Sequence, residues 1–197
     1  RQAAFEHGRT VGQECAEIGF DLVYAPVLDL DWGISEVIGD RAFDADPQVV
    51  GVLGAQMMAG LHAGGVSAVA KHFPGHGGVV ADSHHEHAVD QRSLIELAAD
   101  MAPYRTLIEA GLDGVMMAHV SYPEIDADEA GYSAFWIEQL RALGFNGVIH
   151  SDDLSMAGAS AVGDLHQRVI RARQAGCERL LVCNRSPEEL SRLLDQL

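Results

Sequence analysis

The chain has 197 residues, of which 48% are hydrophobic and 21% are charged, as in a globular domain with a substantial core. Its formal net charge of −16 disfavours nucleic acid as a partner, because phosphate contacts require clustered Lys and Arg side chains. No apolar run is long enough to span a bilayer, so we expect no membrane partner. The three cysteines lie in apolar surroundings, which is typical of free thiols and fits a reducing compartment.

Helical and strand patterns alternate along the chain. Amphipathic spacing, capping residues and terminal glycines mark the helices, and short apolar runs mark the strands. The first helix is expected to bury Ala4, Val11, Cys15 and Ile18 on one face, and Pro103 is expected to break or restart the third. In chain order the predicted elements are helix 3–18, strand 22–27, helix 46–65, strand 67–70, helix 93–111, strand 114–118, helix 135–143, strand 147–150, helix 164–176, strand 179–183 and a helix from residue 186.

Repeated strand–helix units predict a parallel sheet covered by helices. Polar residues gather where the strands end, as in the mouth of a (β/α)8 barrel, although a doubly wound sheet also places its site at that edge. Five such strands favour a ring, yet they are too few to close one of eight. The polar residues at the strand ends are Asp29, Asp31, Lys71, His72, His119, Asp152, Asp153 and Asn184.

The segment from 71 to 90 is rich in histidine and glycine and has no amphipathic period, which favours a functional loop over a solvated connector. We expect its part from Gly75 to Asp90 to be mobile and to close over a substrate. Asp82 and His84 are separated by one residue, so the carboxylate could orient and activate the imidazole as a general acid–base. A local hydrogen bond within the loop explains the same spacing.

Two pairs of polar residues sit at strand ends. Lys71 and His72 directly follow a predicted strand, so their side chains should point to different faces unless the backbone turns there. They could equally be a solvated lysine and a packed histidine. Of Asp152 and Asp153, one can enter a barrel mouth while the other braces a loop, or both can cap the following segment.

The motifs KHFPGHGGVVADSH, from residue 71, and GVIHSDDLSM, from residue 147, closely resemble those of bacterial β-N-acetylglucosaminidases of glycoside hydrolase family three. Further matching segments are APVLDL, IGDRAFDADP, MMAHV and AGCERLLVCN, so the resemblance covers nearly the whole chain. It implies a TIM-type (β/α)8 barrel, with residues 1–197 as a single catalytic domain. The family begins with two more strand–helix units, so this chain is expected to represent the barrel from its third strand onward.

The resemblance also implies a role for each motif residue. Asp152 would be the nucleophile of a retaining hydrolase, and His84, oriented by Asp82, its general acid–base. The residues that would bind the sugar are Arg41, Lys71 and His72. The implied substrate is N-acetylglucosamine attached to anhydro-muropeptides of cell-wall turnover in the cytoplasm, with no cofactor and no metal.

Three alternatives stay open at this stage. A phosphorylase of the same family would use phosphate in place of water. A metal-dependent hydrolase could bind zinc through the pairs His72–His76 and His85–His87. A non-catalytic interaction protein could be built on an incomplete barrel.

Overall fold

The computed structural model describes residues 1–80, 88–156, 159 and 162–197. Its main sheet is parallel, with the strand order β1-β2-β4-β6-β7 and a curled shape. A second, two-stranded parallel sheet pairs β3 with β5. The strands are β1 (Leu22–Val23), β2 (Ser67–Phe73), β3 (Ala88–Val89), β4 (Gly114–Met117), β5 (Val120–Ser121), β6 (Val148–Asp153) and β7 (Arg179–Leu181).

Helices connect the strands of the main sheet, as the alternating patterns predict. Several begin at capping residues, and Asp164 and Ser186 form complete capping boxes with Gln167 and Glu189. Asp46 caps the second helix, with a proline at its first position. The helices are α1 (Gln2–Glu17), α2 (Pro47–Gly64), α3 (Ala98–Glu109), α4 (Ala134–Ala142), α5 (Leu165–Ala175) and α6 (Pro187–Leu194).

The predicted fold class is therefore confirmed as a parallel α/β sheet curled like part of a barrel. In the described part of the chain the main sheet has five strands. Closure into a ring of eight remains a prediction. The buried aromatic side chains of Phe73, Tyr104, Tyr122 and Trp136 form the centre of the core between the sheet and its helices.

Strand lengths differ from the predictions in a way that matters for the site. The first strand keeps only Leu22–Val23, and the following residues rejoin the sheet through the isolated bridge between Val27 and Lys71. By contrast, β2 continues through Lys71 and His72, and β6 continues through Asp152 and Asp153. The polar motif residues are thus part of the sheet itself rather than of the loops beyond it.

Glycines, not large apolar side chains, bring α1 against α2. A methyl group on Gly60 would lie 2.1 Å from the carbonyl oxygen of Phe5, and one on Gly64 would lie 2.6 Å from the Cα atom of Gly12. The predicted apolar face is partly wrong, since Ile18 lies beyond the helix and is 74% exposed. Backbone-to-backbone contact leaves no room for such side chains in the interface.

The expected break at Pro103 does not occur, because α3 runs through it. Pro103 is buried, and Gly51 of α2 lies directly against it and Thr106. The tight packing of α2 on α3 offsets the hydrogen bond that the proline cannot donate. Among the described residues, no helix combines the length and apolarity needed to cross a membrane.

Candidate functional site

Asp152 lies near the end of β6, the strand between β4 and β7, with its side chain 17% exposed. One carboxylate oxygen accepts a hydrogen bond from the backbone N–H of Asp153, at 2.8 Å. The other lies 3.9 Å from Nε2 of His72 in β2, on the far side of β4. A mostly buried carboxylate next to an imidazole is suited to react with, or to stabilise, an electron-poor centre.

Charges around Asp152 keep it ionised. Burial by itself would raise the pKa of this carboxyl, but His72, His119 and Lys71 and the Asp153 N–H together hold the pKa below its usual range. Burial lowers the pKa of Lys71, and the Asp152 carboxylate partly opposes that effect. The site therefore presents an anionic oxygen beside nitrogen donors, a pattern that favours recognition of hydroxyl groups.

Both Lys71 and His72 reach this centre, and the peptide bond between them is cis. Lys71 is half-buried and interacts electrostatically with Asp152, while His72 is buried and lies within 4 Å of it. Both side chains thus act on Asp152, which the sequence allows where the backbone turns between the two residues. The structure brings together three of the predicted site residues: Lys71, His72 and Asp152.

Asp29 holds the imidazole of His72 in place. Its side chain is fully buried, and Oδ2 lies 2.7 Å from Nδ1 of His72. Oδ1 accepts the backbone N–H groups of His72 and His76, at 3.3 and 2.7 Å. Burial would raise the pKa of Asp29, but these partners outweigh it and lower the pKa. With Nδ1 engaged by Asp29, Nε2 of His72 is directed towards Asp152.

The position of Asp29 follows from the sheet. Val27 forms a parallel bridge with Lys71, and the Leu28 N–H donates to the Lys71 carbonyl at 2.7 Å. Two residues further on, Asp29 lies beside His72. The sequence identifies Asp29 as a strand-end polar residue, but only this register identifies its partner.

Asp153 points away from the centre and braces the loop that follows. Its carboxylate accepts hydrogen bonds from the backbone N–H and the hydroxyl of Ser155, at 2.9 and 2.7 Å. It also accepts the backbone N–H of Cys183, at 2.9 Å, beyond the end of β7. The two adjacent aspartates thus divide into one that faces the site and one that holds loops together, one of the two arrangements that the sequence leaves open.

Arg41 ends a short 3₁₀ helix over Gly39–Arg41 and is exposed. Its Nε and Nη2 atoms donate to the carbonyl of Val37, at 2.9 and 2.6 Å. Its charge contributes to lowering the pKa of Lys71, which follows mainly from burial. Arg41 therefore lies on the Lys71 side of the site, with its guanidinium anchored to its own loop.

The first part of the glycine-rich loop is packed, whereas residues 81–87, on which the expected mobility of the loop chiefly depends, lie outside the described residues. Gly75 and Gly77 are buried, and a methyl group on Gly77 would lie 1.9 Å from the carbonyl oxygen of Leu30. The hydroxyl of Tyr122 donates to the Gly75 carbonyl at 2.7 Å. These glycines serve close backbone contact, which any side chain would prevent.

An ion-pair network that the sequence does not reveal supports this loop from outside. Arg92 contacts the carboxylates of Asp90 and Asp100, at 2.7 and 2.9 Å. Its guanidinium also lies 5.3 Å from the ring centroid of Trp32, whose indole N–H donates to Asp100 at 2.9 Å. The network ties the loop after β3 to α3 and to the segment that follows Asp29.

The other predicted residues fall into two groups, those outside the described part of the chain and those that are described but are not part of the cluster around Asp152. The acid–base pair Asp82 and His84, together with His85 and His87, lies outside the described residues. Asp31 caps the N–H of Gly33, and Asn184 is exposed, with φ at 55°. Among the described residues, no three His, Cys, Asp or Glu side chains are arranged to hold a metal ion.

Comparison with known proteins places this chain in a family. The model described as the glycosyl hydrolase family 3 N-terminal domain matches residues 1–197. A protein named beta-hexosaminidase from Thiobacillus denitrificans is 50% identical over 200 residues, covering 100% of this chain and 55% of the relative.

Solved structures of similar proteins agree with the family match. NagZ from Neisseria gonorrhoeae in complex with N-trifluoroacetyl-D-glucosamine matches with a TM-score of 0.91 and 46% identity, covering 100% of this chain and 57% of that one. A glycoside hydrolase family 3 β-N-acetylglucosaminidase from a Paenibacillus species matches with a TM-score of 0.89 and 30% identity, over 99% of this chain and 42% of that one. The chain thus spans little more than half the length of its curated relatives, between 55% and 57%. It belongs to glycosyl hydrolase family 3, and its residues correspond to the N-terminal domain of that family.

Proposed function

We propose that the protein carrying this chain is an exo-acting β-N-acetylglucosaminidase that removes terminal N-acetylglucosamine. The observation that carries the proposal is the convergence of Lys71, His72 and Asp152 at one edge of the parallel sheet. Relatives named beta-hexosaminidase and a structure bound to an N-acylated glucosamine support the same chemistry. The proposed substrate class is N-acetylglucosamine attached to anhydro-muropeptides from cell-wall turnover.

In the proposed mechanism Asp152 is the nucleophile. Its carboxylate oxygen forms a bond to the anomeric carbon while the glycosidic bond breaks, and His84 transfers a proton to the leaving oxygen. Water then attacks the same carbon as His84 accepts its proton, and the bond to Asp152 breaks with its electron pair returning to the carboxylate. Two inversions give net retention of configuration.

Binding of the sugar is assigned to the nitrogen donors around the nucleophile. Lys71 and His72 are within reach of Asp152, so hydroxyl groups of a bound sugar would lie between them. Arg41 would contribute the guanidinium donors that Val37 does not occupy. Asp82 would orient His84, as a carboxylate does for an imidazole in many acid–base pairs.

The test is hydrolysis of an aryl N-acetyl-β-glucosaminide, followed by product analysis in phosphate buffer. Release of free N-acetylglucosamine with its β configuration retained is expected. Formation of a sugar phosphate would identify a phosphorylase instead. Absence of any reaction in the protein as it occurs naturally would reject the proposal.

The aspartates provide a matched pair of variants. Asp152→Asn should reduce the first-order rate constant by at least about 10³-fold, because a neutral amide is a poor nucleophile. It should also abolish covalent labelling by a slow fluorinated glycoside. Asp153→Asn, which loses loop contacts only, should retain measurable labelling. A labelled peptide modified at Asp153 would reverse the assignment.

A further inference from the structure

Trp32 is an exposed aromatic side chain that buried charges hold in one orientation. Its indole N–H donates to Oδ1 of Asp100, at 2.9 Å, and the guanidinium of Arg92 lies 5.3 Å from the centroid of its ring. Arg92 in turn contacts the Asp100 carboxylate at 2.9 Å, and the Asp100 side chain is 0% exposed. Trp32 itself remains 44% exposed, whereas Trp136 is fully buried.

This arrangement is unusual for a side chain that serves only the fold. Burying charges requires their desolvation, and a buried ion pair rarely contributes more stability than apolar residues of the same size. A tryptophan that contributed mainly to stability would turn its rings into the core, where their burial is most favourable. Here the charged groups instead hold the rings at the surface, as a preorganised binding surface requires.

Trp32 lies close to the candidate site along the chain. Asp29, three residues earlier, holds the ring of His72, whose Nε2 lies 3.9 Å from Asp152. Three residues of chain span at most about 11 Å. A second ring attached to a sugar at Asp152 can therefore reach from the centre to the indole.

The loop that follows β2 lies on the same side of the site as Trp32. A methyl group on Gly78 of this loop would lie 2.2 Å from Nη2 of Arg92, the side chain that lies against the indole. In the sequence the loop leads to His84, to which the proposed function assigns proton transfer to the leaving oxygen. On that assignment the leaving group lies on the side of this loop, and therefore on the side of Trp32.

A cavity of about 410 Å³ opens next to Trp32 and offers polar partners. Asp31 and Gly33, the neighbours of Trp32 in the chain, both line it, together with Ile34 and Glu36. Carboxylate oxygens accept hydrogen bonds from hydroxyl groups. An aromatic face beside such acceptors suits a sugar ring, because the C–H groups of the sugar pack on the aromatic ring while its hydroxyl groups donate to the carboxylates.

We propose that Trp32 is a specificity-determining residue whose exposed face binds a sugar ring of the leaving group. Asp100 and Arg92 are positioning residues that hold the indole in the orientation that this contact requires. The inference rests on the proposed function and deepens it, since it names a hydroxylated pyranose, rather than a simple alcohol, as the preferred leaving group.

The experiment compares two substrates with the same terminal sugar, methyl N-acetyl-β-glucosaminide and the β-1,4-linked disaccharide of N-acetylglucosamine. It uses the protein as it occurs naturally, Trp32→Ala and Trp32→Phe. The ratio of kcat/KM for the disaccharide to kcat/KM for the methyl glycoside should fall about tenfold in Trp32→Ala, as expected for the loss of one stacking contact. Trp32→Phe keeps an aromatic face, so its ratio should fall less. An unchanged ratio in Trp32→Ala would overturn the inference, because a purely structural effect lowers both kcat/KM values equally.

Two further variants complete the comparison. Arg92→Lys keeps the charge but removes the planar group that lies against the indole, so its ratio should also fall. An unchanged ratio there would exclude the positioning role of Arg92. The matched control is Phe20→Ala. Phe20 is likewise an exposed aromatic, at 60%, but it precedes β1 and so lies at the opposite end of the strands, and its loss should leave the ratio unchanged.

Indole fluorescence separates the inference from the proposed function. Asp152→Asn turns over slowly, so acrylamide quenching can be measured with and without bound disaccharide. The part of the quenching that Trp32→Phe removes in this background belongs to Trp32, and the disaccharide should reduce it more than the methyl glycoside does. Such protection in a protein that hydrolyses neither substrate would support the role of Trp32 and reject the proposed activity. Equal quenching of Trp32 with and without the disaccharide would overturn the inference in either case.

Discussion

At the scale of single residues, the site depends on buried carboxylates that fix the orientation of histidines. Asp29 engages both the ring of His72 and the backbone of the following turn, so one side chain organises the whole KHFPGH segment. An imidazole constrained in this way keeps one tautomer and one ring position. Removing the constraint should therefore affect function more than it affects the fold.

Replacing Asp29 by asparagine tests this expectation. Because His72 loses its fixed position near Asp152, kcat/KM towards an aryl N-acetyl-β-glucosaminide should fall by about 10²-fold. The matched control is Asp31→Asn, since Asp31 is close in sequence but, among the described residues, its side chain accepts a hydrogen bond only from the N–H of Gly33. Equal activity of the Asp29 variant and the unmodified protein would exclude a positioning role for Asp29.

The ionisation of Asp29 also predicts how the free energy of unfolding depends on pH. Its pKa is lower in the folded protein than in the unfolded chain, so its ionised form stabilises the fold at neutral pH. That contribution is present above the unfolded pKa, near 3.9, and is lost as pH falls towards the folded value. The difference in unfolding free energy between the unmodified protein and Asp29→Asn should therefore shrink below about pH 4. A difference that grows on acidification, measured by denaturant titration, would contradict this.

At the scale of elements, α1 and α2 form the closest helix pair through glycines that face each other. Gly8 and Gly12 of α1 meet Gly60 and Gly64 of α2, with backbone atoms in direct contact. Helices that approach so closely gain dispersion contacts along their backbones. The interface has little tolerance for added volume, because the contacting atoms are backbone and cannot rotate away.

Gly60→Ala is expected to destabilise the protein by about 1–3 kcal/mol, although alanine has the higher helix propensity. The reason is that its methyl group would lie 2.1 Å from the Phe5 carbonyl oxygen. Ala63→Ser, a small enlargement on the exposed side of the same helix, serves as the control and should change stability by less than about 0.5 kcal/mol. Thermal unfolding of both variants gives the comparison. A Gly60→Ala protein as stable as the control would show that the helices can move apart at no cost.

At the scale of the whole molecule, the curled sheet has two outer strands, β1 and β7, without further strand partners among the described residues. Next to β7 lies a groove of about 900 Å³, open between α5 and α6. Apolar side chains line much of it, including Leu180, Val182, Leu190, Leu194 and Leu197. Open strand edges and contiguous apolar surface favour association with other polypeptide segments.

The 197-residue chain by itself is therefore expected to bind an apolar fluorescent dye or to self-associate. A longer polypeptide that includes segments equivalent to the rest of its relatives should do so less. Dye fluorescence and light scattering of the two polypeptides make the comparison. A compact, monodisperse and fully active 197-residue monomer would refute the expectation.

Local sequence was sufficient for the approximate positions of the helices and for the chain order of the strands in the main sheet. Capping boxes at Asp164 and Ser186, and apolar runs between glycine-ended helices, act over a few residues, so their effect can be read directly. The short β3–β5 pair was not predicted, because each strand has only two residues and pairs with a segment far along the chain. Motif resemblance identified the family, which the comparisons confirm.

Tertiary structure decided which polar residues meet. Asp29 and His72 are 43 residues apart, and nothing in their spacing identifies them as partners. The same holds for Glu129 and His119. They meet because the chain returns to the His119 ring at the 3₁₀ turn that directly follows Glu129. The glycines of KHFPGHGG suggest a mobile loop in the sequence but serve tight packing in the fold. Local patterns report how a segment folds, whereas side-chain partners depend on strand register and chain crossings, which only the assembled sheet determines.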